Sequence, residues 1–286
     1  MRPGQAMLPS TPHPIIHDAV FAELTGLIHH FFGIVIEPHR KSFVISRLQP
    51  LLLQSGCADF GEFLALLRAD ASNLWLSEMA NRITTHHTSF FREAPHFDFL
   101  LREALPDIER RKRREVNNDI RIWCAASATG EEPYTIAMCL LRYFGSRYSE
   151  WLAGVLGTDI SNAALARARI GIYPPAVLRH LTADQRLWFR KLSSGDFQVA
   201  DVVRREVIFR RFNMICAAYP FRKPFDIIFC RNVMIYFDEP TREALTAKLH
   251  QWLQPGGYLF VGHAEAINPD AAPFRYICPA VYQKEP

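Results

Sequence analysis

What this 286-residue chain lacks already narrows it. No run of about 18 uninterrupted apolar residues occurs, so no membrane-spanning helix is expected. Its six cysteines include no C-x-x-C pair and no neighbouring His-x₃-His partner, which disfavours a structural zinc site, and no metal is expected. Residues 1–14 carry Pro3, Pro9, Pro12 and Pro14 but no apolar core. They read as a flexible tail rather than a signal peptide, which places the chain in the cytoplasm. A strong charge of one sign is also missing. The 33 Lys+Arg against 29 Asp+Glu leave +4, too mild to demand nucleic acid but compatible with an acidic partner. No G-x-G-x-x-G follows a strand-like run, which disfavours a dinucleotide. With 49% hydrophobic and 22% charged residues, the chain can bury a sizeable core, and disorder of the whole is excluded.

What is present begins with helices. Val20, Leu24, Leu27, Ile28 and Phe31 recur at helical spacing, and Gly33 follows as a stop. A second segment, from about Lys41 to Leu53, sets Val44, Leu48, Leu51 and Leu52 on one face and carries Arg40, Lys41 and Arg47. Phe60, Phe63, Leu64 and Leu67 predict a third helix; Leu74, Trp75, Met79 and Ile83 predict a fourth. Residues 15–83 therefore read as a small all-α domain.

The period changes after about residue 100. Residues 120–125, 155–159, 225–230 and 258–262 are strand-like, and helical patterns lie between them. Such alternation predicts an α/β domain over residues 105–286, with a mostly parallel sheet covered on both faces. Residues 84–104 read as a linker that contributes to the site. From Phe197 to Phe212 the apolar spacing suggests short antiparallel strands, so a small β subdomain is expected at about 190–212. The run Arg110 to Arg114 reads as a solvated helix end that complements the helix dipole.

Unusual residues gather at the carboxyl ends of these strands, where open α/β sheets bind ligands. After the first strand, Glu131 and Glu132 open a helix. They would repel a pyrophosphate and could attract a sulfonium or ammonium, or they could simply stabilise the first helical turn. The second strand ends in Asp159, placed to accept hydrogen bonds from ribose hydroxyls. The third ends in Arg231-Asn232 within an apolar run, a costly arrangement without partners. Thr84-Thr85-His86-His87-Thr88 forms part of the polar and aromatic segment that joins the two halves.

Several blocks, in order and spacing, resemble the chemotaxis receptor methyltransferases, the CheR family, over roughly residues 15–286. They are Thr88-Ser89-Phe90-Phe91-Arg92-Glu93, Ser127-Ala128-Thr129-Gly130-Glu131-Glu132-Pro133-Tyr134, Thr158-Asp159-Ile160, Phe229-Cys230-Arg231-Asn232-Val233-Met234-Ile235-Tyr236-Phe237 and Gly262-His263-Ala264-Glu265. The resemblance implies an S-adenosylmethionine-dependent protein-glutamate O-methyltransferase. It also implies a fold: a small all-α domain, then a Rossmann-like methyltransferase domain with an inserted antiparallel β subdomain. By the same resemblance His86, Thr88, Arg92, Glu131 or Glu132, Asp159, Asn213, Met214, Arg231 and Asn232 surround S-adenosylmethionine, and Asp159 holds the ribose. Arg92 and Tyr236 stand nearest the methyl group and the incoming carboxylate. Where the family commonly has Asn, this chain has His86, whose imidazole can replace one amide hydrogen bond but not both.

The implied partner is the cytoplasmic domain of a chemoreceptor. Its acidic methylation helix would lie against Arg40, Lys41 and Arg47, unless these simply form a solvated face. The turn from Leu192 to Asp196 looks shorter than in relatives that grip a receptor's C-terminal pentapeptide, so action independent of that tether is expected. A non-catalytic, S-adenosylmethionine-binding signalling scaffold is the alternative.

Overall fold

The computed structural model describes residues 15–285, so the segment expected as a tail, residues 1–14, lies outside the described part. Four helices come first: α1 (Asp18–Phe32), α2 (Lys41–Ser55), α3 (Phe60–Ala69) and α4 (Leu74–Ile83). Local chemistry sets their ends. Gly33 takes a left-handed φ of 71° and its N–H closes on the His29 carbonyl, which stops α1. The Asp59 carboxylate accepts from the N–H groups of Gly61 and Glu62 and starts α3. Leu24, Ile28, Val44, Leu48, Phe63 and Met79 bury against one another as the core of this unit. Each such side chain contributes about 1.5–3 kcal/mol, so packing rather than propensity holds these short helices.

Residues 84–94 cross to the second unit. There α5 (Pro95–Phe99) passes through a π-helical turn at Leu100–Ala104 into α6 (Leu105–Arg114). Residues 95–104 were expected to belong to the linker; instead they are helical, and Phe97, Leu100 and Ala104 lie in the α/β core. The domain continues with β1 (Asp119–Ala125), α7 (Glu131–Phe144), β2 (Leu152–Asp159), α8 (Asn162–Ile170) and β3 (Ile172–Tyr173). Next come α9 (Ala183–Arg186), β4 (Phe189–Lys191), β5 (Phe197–Val199), α10 (Asp201–Arg204) and β6 (Val207–Arg211). The chain closes with β7 (Phe225–Cys230), α11 (Glu239–Gln251), β8 (Leu253–Val261), β9 (Phe274–Cys278) and β10 (Val281–Lys284).

The main sheet runs β6-β2-β1-β7-β8-β10-β9, with its first five strands parallel and β10 antiparallel to both of its neighbours, β8 and β9. The chain winds outward from β1 to β2 and β6, then restarts on the other side at β7. That reversal between β1 and β7 opens a crevice beyond their carboxyl ends. The small antiparallel sheet is β3-β5-β4. This corrects the expected insert at about 190–212, because residues 207–211 pair in parallel with β2 at the edge of the main sheet. An edge strand buries one face only: Val207 and Phe209 point inward while Ile208 and Arg210 are exposed. The resulting alternation is also that of a solvated antiparallel strand.

The basic run at the end of α6 also departs from the solvated helix end that was expected. Lys112 is buried and pairs with Asp226 on β7 at 2.8 Å, while Arg110 and Arg113 pair along the helix with Asp107 and Glu109. The two units are stitched together around the crevice. Ile34 bridges Phe237, and the Val35 N–H donates to the Tyr236 carbonyl at 2.9 Å. The Asn213 amide donates to the Phe31 carbonyl at 2.7 Å, and Arg211 donates to the Ser77 hydroxyl at 2.7 Å. Among the described residues, no helix is long and apolar enough to cross a membrane.

Candidate active site

The crevice is a cavity of about 1180 Å³ with its open mouth included, walled by the helical unit, the 84–94 segment and the strand-end loops. His86, Thr88, Arg92, Glu132, Asp159, Asn213, Met214, Arg231, Asn232 and Tyr236 all border it, as does Arg40 from the helical side. Among the described residues, eight non-glycine residues have left-handed φ, and five of them are at this cavity or beside Arg92: Phe91, Glu93, Ala126, Ala128 and Asn232. Each such residue costs on the order of 1–3 kcal/mol, so strain is concentrated where the backbone must present groups inward.

The loops after β1 and β2 meet at Asp159. Its Oδ2 accepts from the Ala128 N–H at 2.9 Å and its Oδ1 from the Ser161 N–H at 2.9 Å. Each oxygen keeps acceptor capacity for a ligand hydroxyl. His86 stands beside this carboxylate, with Nε2 3.6 Å from Oδ1 and 3.1 Å from the Thr84 hydroxyl. The two glutamates left open by the sequence separate here. Glu132 lines the cavity, whereas Glu131 does not border it: buried, it accepts from the Thr129 hydroxyl at 2.7 Å, and burial raises its carboxyl above the usual range.

The loop after β7 is the most heavily braced. The Arg231 side chain has no exposure to solvent and donates to Glu132, to the Arg92 carbonyl at 2.6 Å and to Glu93 at 2.9 Å. Asn232, at φ 57°, donates its amide to Glu93 at 3.1 Å. Glu265 accepts from four backbone N–H groups, those of Asn232 (2.8 Å), Met234 (2.7 Å), Ile235 (3.3 Å) and Gly262 (2.6 Å). One carboxylate thus fixes both the Asn232 turn and the short helix Met234–Tyr236 that carries Tyr236. Gly262 is required there, since a Cβ would fall 2.5 Å from the Asn232 Nδ2 and 2.8 Å from Glu265.

Burial alone would raise the Glu93 carboxyl, but hydrogen bonds from Arg231 and Asn232 outweigh it and hold it at about 2. Behind it, burial, reinforced by the Arg231 charge, lowers the His96 imidazole to about 4. Glu93, His96 and His263 bring three possible ligand atoms within 4.8 Å of one another. The carboxylate of that group is already neutralised by Arg231. Sequence reasoning gave no role to Glu93, Glu265 or His96. Both glutamates stood inside recognised blocks, but their partners are backbone N–H groups and side chains from distant loops.

From the 84–94 segment, Arg92 reaches the cavity with one Nη1 bond to the His87 carbonyl at 2.9 Å. Asn213 borders it too, but its amide is committed to Phe31 and its oxygen accepts from the Ile215 N–H at 3.2 Å. Met214 gives a buried apolar wall. The three cations expected to meet a partner do not form one free face. Arg40 and Arg47 are exposed against the Phe43 ring, at 4.6 Å and 5.4 Å from its centroid. Lys41 is instead paired with Asp18 at 2.7 Å, a contact between helix starts that helical periodicity could not reveal.

The chain matches two family models, "CheR methyltransferase, all-alpha domain" over residues 19–84 and "CheR methyltransferase, SAM binding domain" over residues 86–281. It belongs to the CheR methyltransferase family. A Chemotaxis protein methyltransferase of Borreliella burgdorferi is 39% identical over 264 residues, covering 92% of this chain and 93% of the relative. Another, from Escherichia coli, is 36% identical over 266 residues, covering 92% and 89%. The cofactor is S-adenosylmethionine, and the donor set fits it. Asp159 offers carboxylate oxygens to ribose hydroxyls, and Met214 and Ile160 offer apolar surface, while Glu132 on the same wall is paired with Arg231.

Proposed function

We propose that this enzyme transfers the methyl group of S-adenosylmethionine to glutamate side chains in the cytoplasmic domain of a chemoreceptor, giving glutamyl methyl esters and S-adenosylhomocysteine. The observation that carries the reading is that Asp159, Asn232, Arg92 and Tyr236 border one and the same cavity. When bound, the cofactor supplies a methyl group on a cationic sulfur, open to direct attack by a carboxylate oxygen. No residue has to remove a proton, because a glutamate with an ordinary pKa near 4.3 is already ionised at neutral pH.

The protein's contribution is placement. Arg92, with one of its nitrogens held by the His87 carbonyl, offers the rest of its fork to one carboxylate oxygen and leaves the other free. That grip must be light, since an ion pair stronger in the ground state than in the charge-depleted transition state would slow the reaction. Tyr236 has no hydroxyl partner among the described residues, so its O–H is free to donate to the same carboxylate. Good orientation can be worth about 7–11 kcal/mol. Nothing in the cavity favours a non-catalytic scaffold.

Arg40 at the mouth and the exposed Arg47 suit an acidic receptor helix. The hairpin between β4 and β5 is tight, with Leu192 N–H on the Asp196 carbonyl at 2.8 Å and Gly195 N–H on the Leu192 carbonyl at 3.0 Å. It supports action without a receptor tether, so calorimetry with an isolated receptor C-terminal pentapeptide should show no saturable binding; saturable binding would overturn that part. For the reaction, a receptor cytoplasmic fragment incubated with S-adenosylmethionine should gain the mass of single methyl groups, lost on alanine or glutamine substitution of particular glutamates. Methyl groups mapped to residues other than glutamate, or none at all, would refute it.

A further inference from the structure

The turn that presents Arg92 is built against its own backbone preference. Phe91 and Glu93 sit at φ 53° and 59°, a region that residues with a Cβ rarely adopt. Neither is Gly, Asn or Asp, so the local sequence does nothing to lower the strain. Such a conformation persists only where its surroundings over-determine it. Here three anchors do so. The Phe91 N–H donates to the Thr135 hydroxyl on α7 at 3.2 Å. The Arg92 carbonyl accepts from Arg231 Nη2 at 2.6 Å. The Glu93 carboxylate takes the same Nη2 at 2.9 Å and the Asn232 amide at 3.1 Å. Arg231 is itself immobilised, buried and paired on its other side with Glu132.

We propose that Glu93 is a positioning residue for methyl transfer: with Arg231 it holds residues 91–93 in the left-handed turn that aims Arg92 into the cavity. Arg92 and Glu93 are adjacent in sequence and face opposite ways, one towards the substrate space and one towards the buried guanidinium. The ion pair behind the wall therefore decides where the group in front of it stands. The inference rests on the reading of Arg92 as the carboxylate orienter. Cofactor contacts depend on the turn far less, because Asp159 is pinned by Ala128 and Ser161 and the Asn232 backbone by Glu265.

The test uses the full chain with Glu93→Gln, which keeps an oxygen for the Asn232 amide but removes the charge facing Arg231. It should lower kcat about 30-fold while cofactor affinity by calorimetry changes less than about threefold. In an Arg92→Ala background it should add nothing further. Hydrogen exchange at the amides of residues 91–93 should speed up by about tenfold, a readout independent of activity. Should Glu93→Gln fold poorly, Glu93→Gly accepts left-handed backbone freely and should outperform Glu93→Ala by about threefold in kcat. Cofactor affinity falling in step with kcat, losses that multiply with Arg92→Ala, unchanged exchange, or the reverse Gly/Ala order would each overturn the proposal. If the wild-type chain transferred no methyl group to a receptor, the functional reading would fail, and the exchange result would still decide whether Glu93 holds the turn.

Discussion

On the sheet side of the cavity, a guanidinium with no solvent exposure is committed to Glu132, Glu93 and the Arg92 carbonyl. On the helical side, the guanidiniums of Arg40 and Arg47 lie in solvent over one phenyl ring. The same chemical group stands in two different settings. Removing one partner of a buried ion pair costs about 3–5 kcal/mol, whereas an exposed pair is worth about 0–1 kcal/mol. A wall that must hold a small cofactor and a reacting carboxylate gains from fixed charge. Under the proposed function the helical wall meets an acidic partner, and charge left free there would steer it.

The sheet side should fail first and hardest. Glu265→Ala leaves four backbone donors around Asn232 and Tyr236 without their acceptor, and stability to urea should fall by about 3 kcal/mol. A loss within experimental error would show that the carboxylate clamp is not what fixes that wall.

Acid should weaken the same wall in two stages. The His96 imidazole is lowered from 6.5 to about 4 and the Glu93 carboxyl from 4.5 to about 2. In each window the unfolded chain binds more protons than the folded one, so stability rises with pH and is lost on acidification. Urea midpoints should decline from pH 6.5 to about 4 through His96, and further from 4.5 to about 2 through Glu93. His96→Phe should flatten the first decline alone; an unchanged profile would contradict this.

The helical side should show the smallest effect, confined to the partner. Charge reversal at Arg40 and Arg47 should raise the KM for receptor about fivefold at low salt, with the difference fading as ionic strength rises. Cofactor affinity should stay constant. A salt-independent change would mean that the two arginines act through packing on Phe43 rather than through charge.

Much of this comparison was legible in the sequence, though unevenly. The four helices showed through Leu24, Val44, Phe63 and Met79 because each buries one stripe, and the central strands showed because they are buried on both faces. Strand-end residues such as Asp159, Arg231 and Asn232 stood out as polar groups in apolar runs. The missed features all depend on pairing across the chain. β6 reads like a solvated hairpin until β2 lies beside it. Lys112 reads like its exposed neighbours until Asp226 is beside it. Glu93 meets Arg231 and Asn232 from 138 or more residues away, and three of the four donors to Glu265 come from about 30 residues away.

The central claim is that Arg92 matters far more for orienting a carboxylate in methyl transfer than for holding the cofactor. Its most direct test measures S-adenosylmethionine affinity and base-labile methyl ester formation on receptor-containing membranes, side by side, for the wild-type chain and Arg92→Ala. Ester formation should fall about a hundredfold while affinity changes less than about threefold. Equal loss of both would contradict the account.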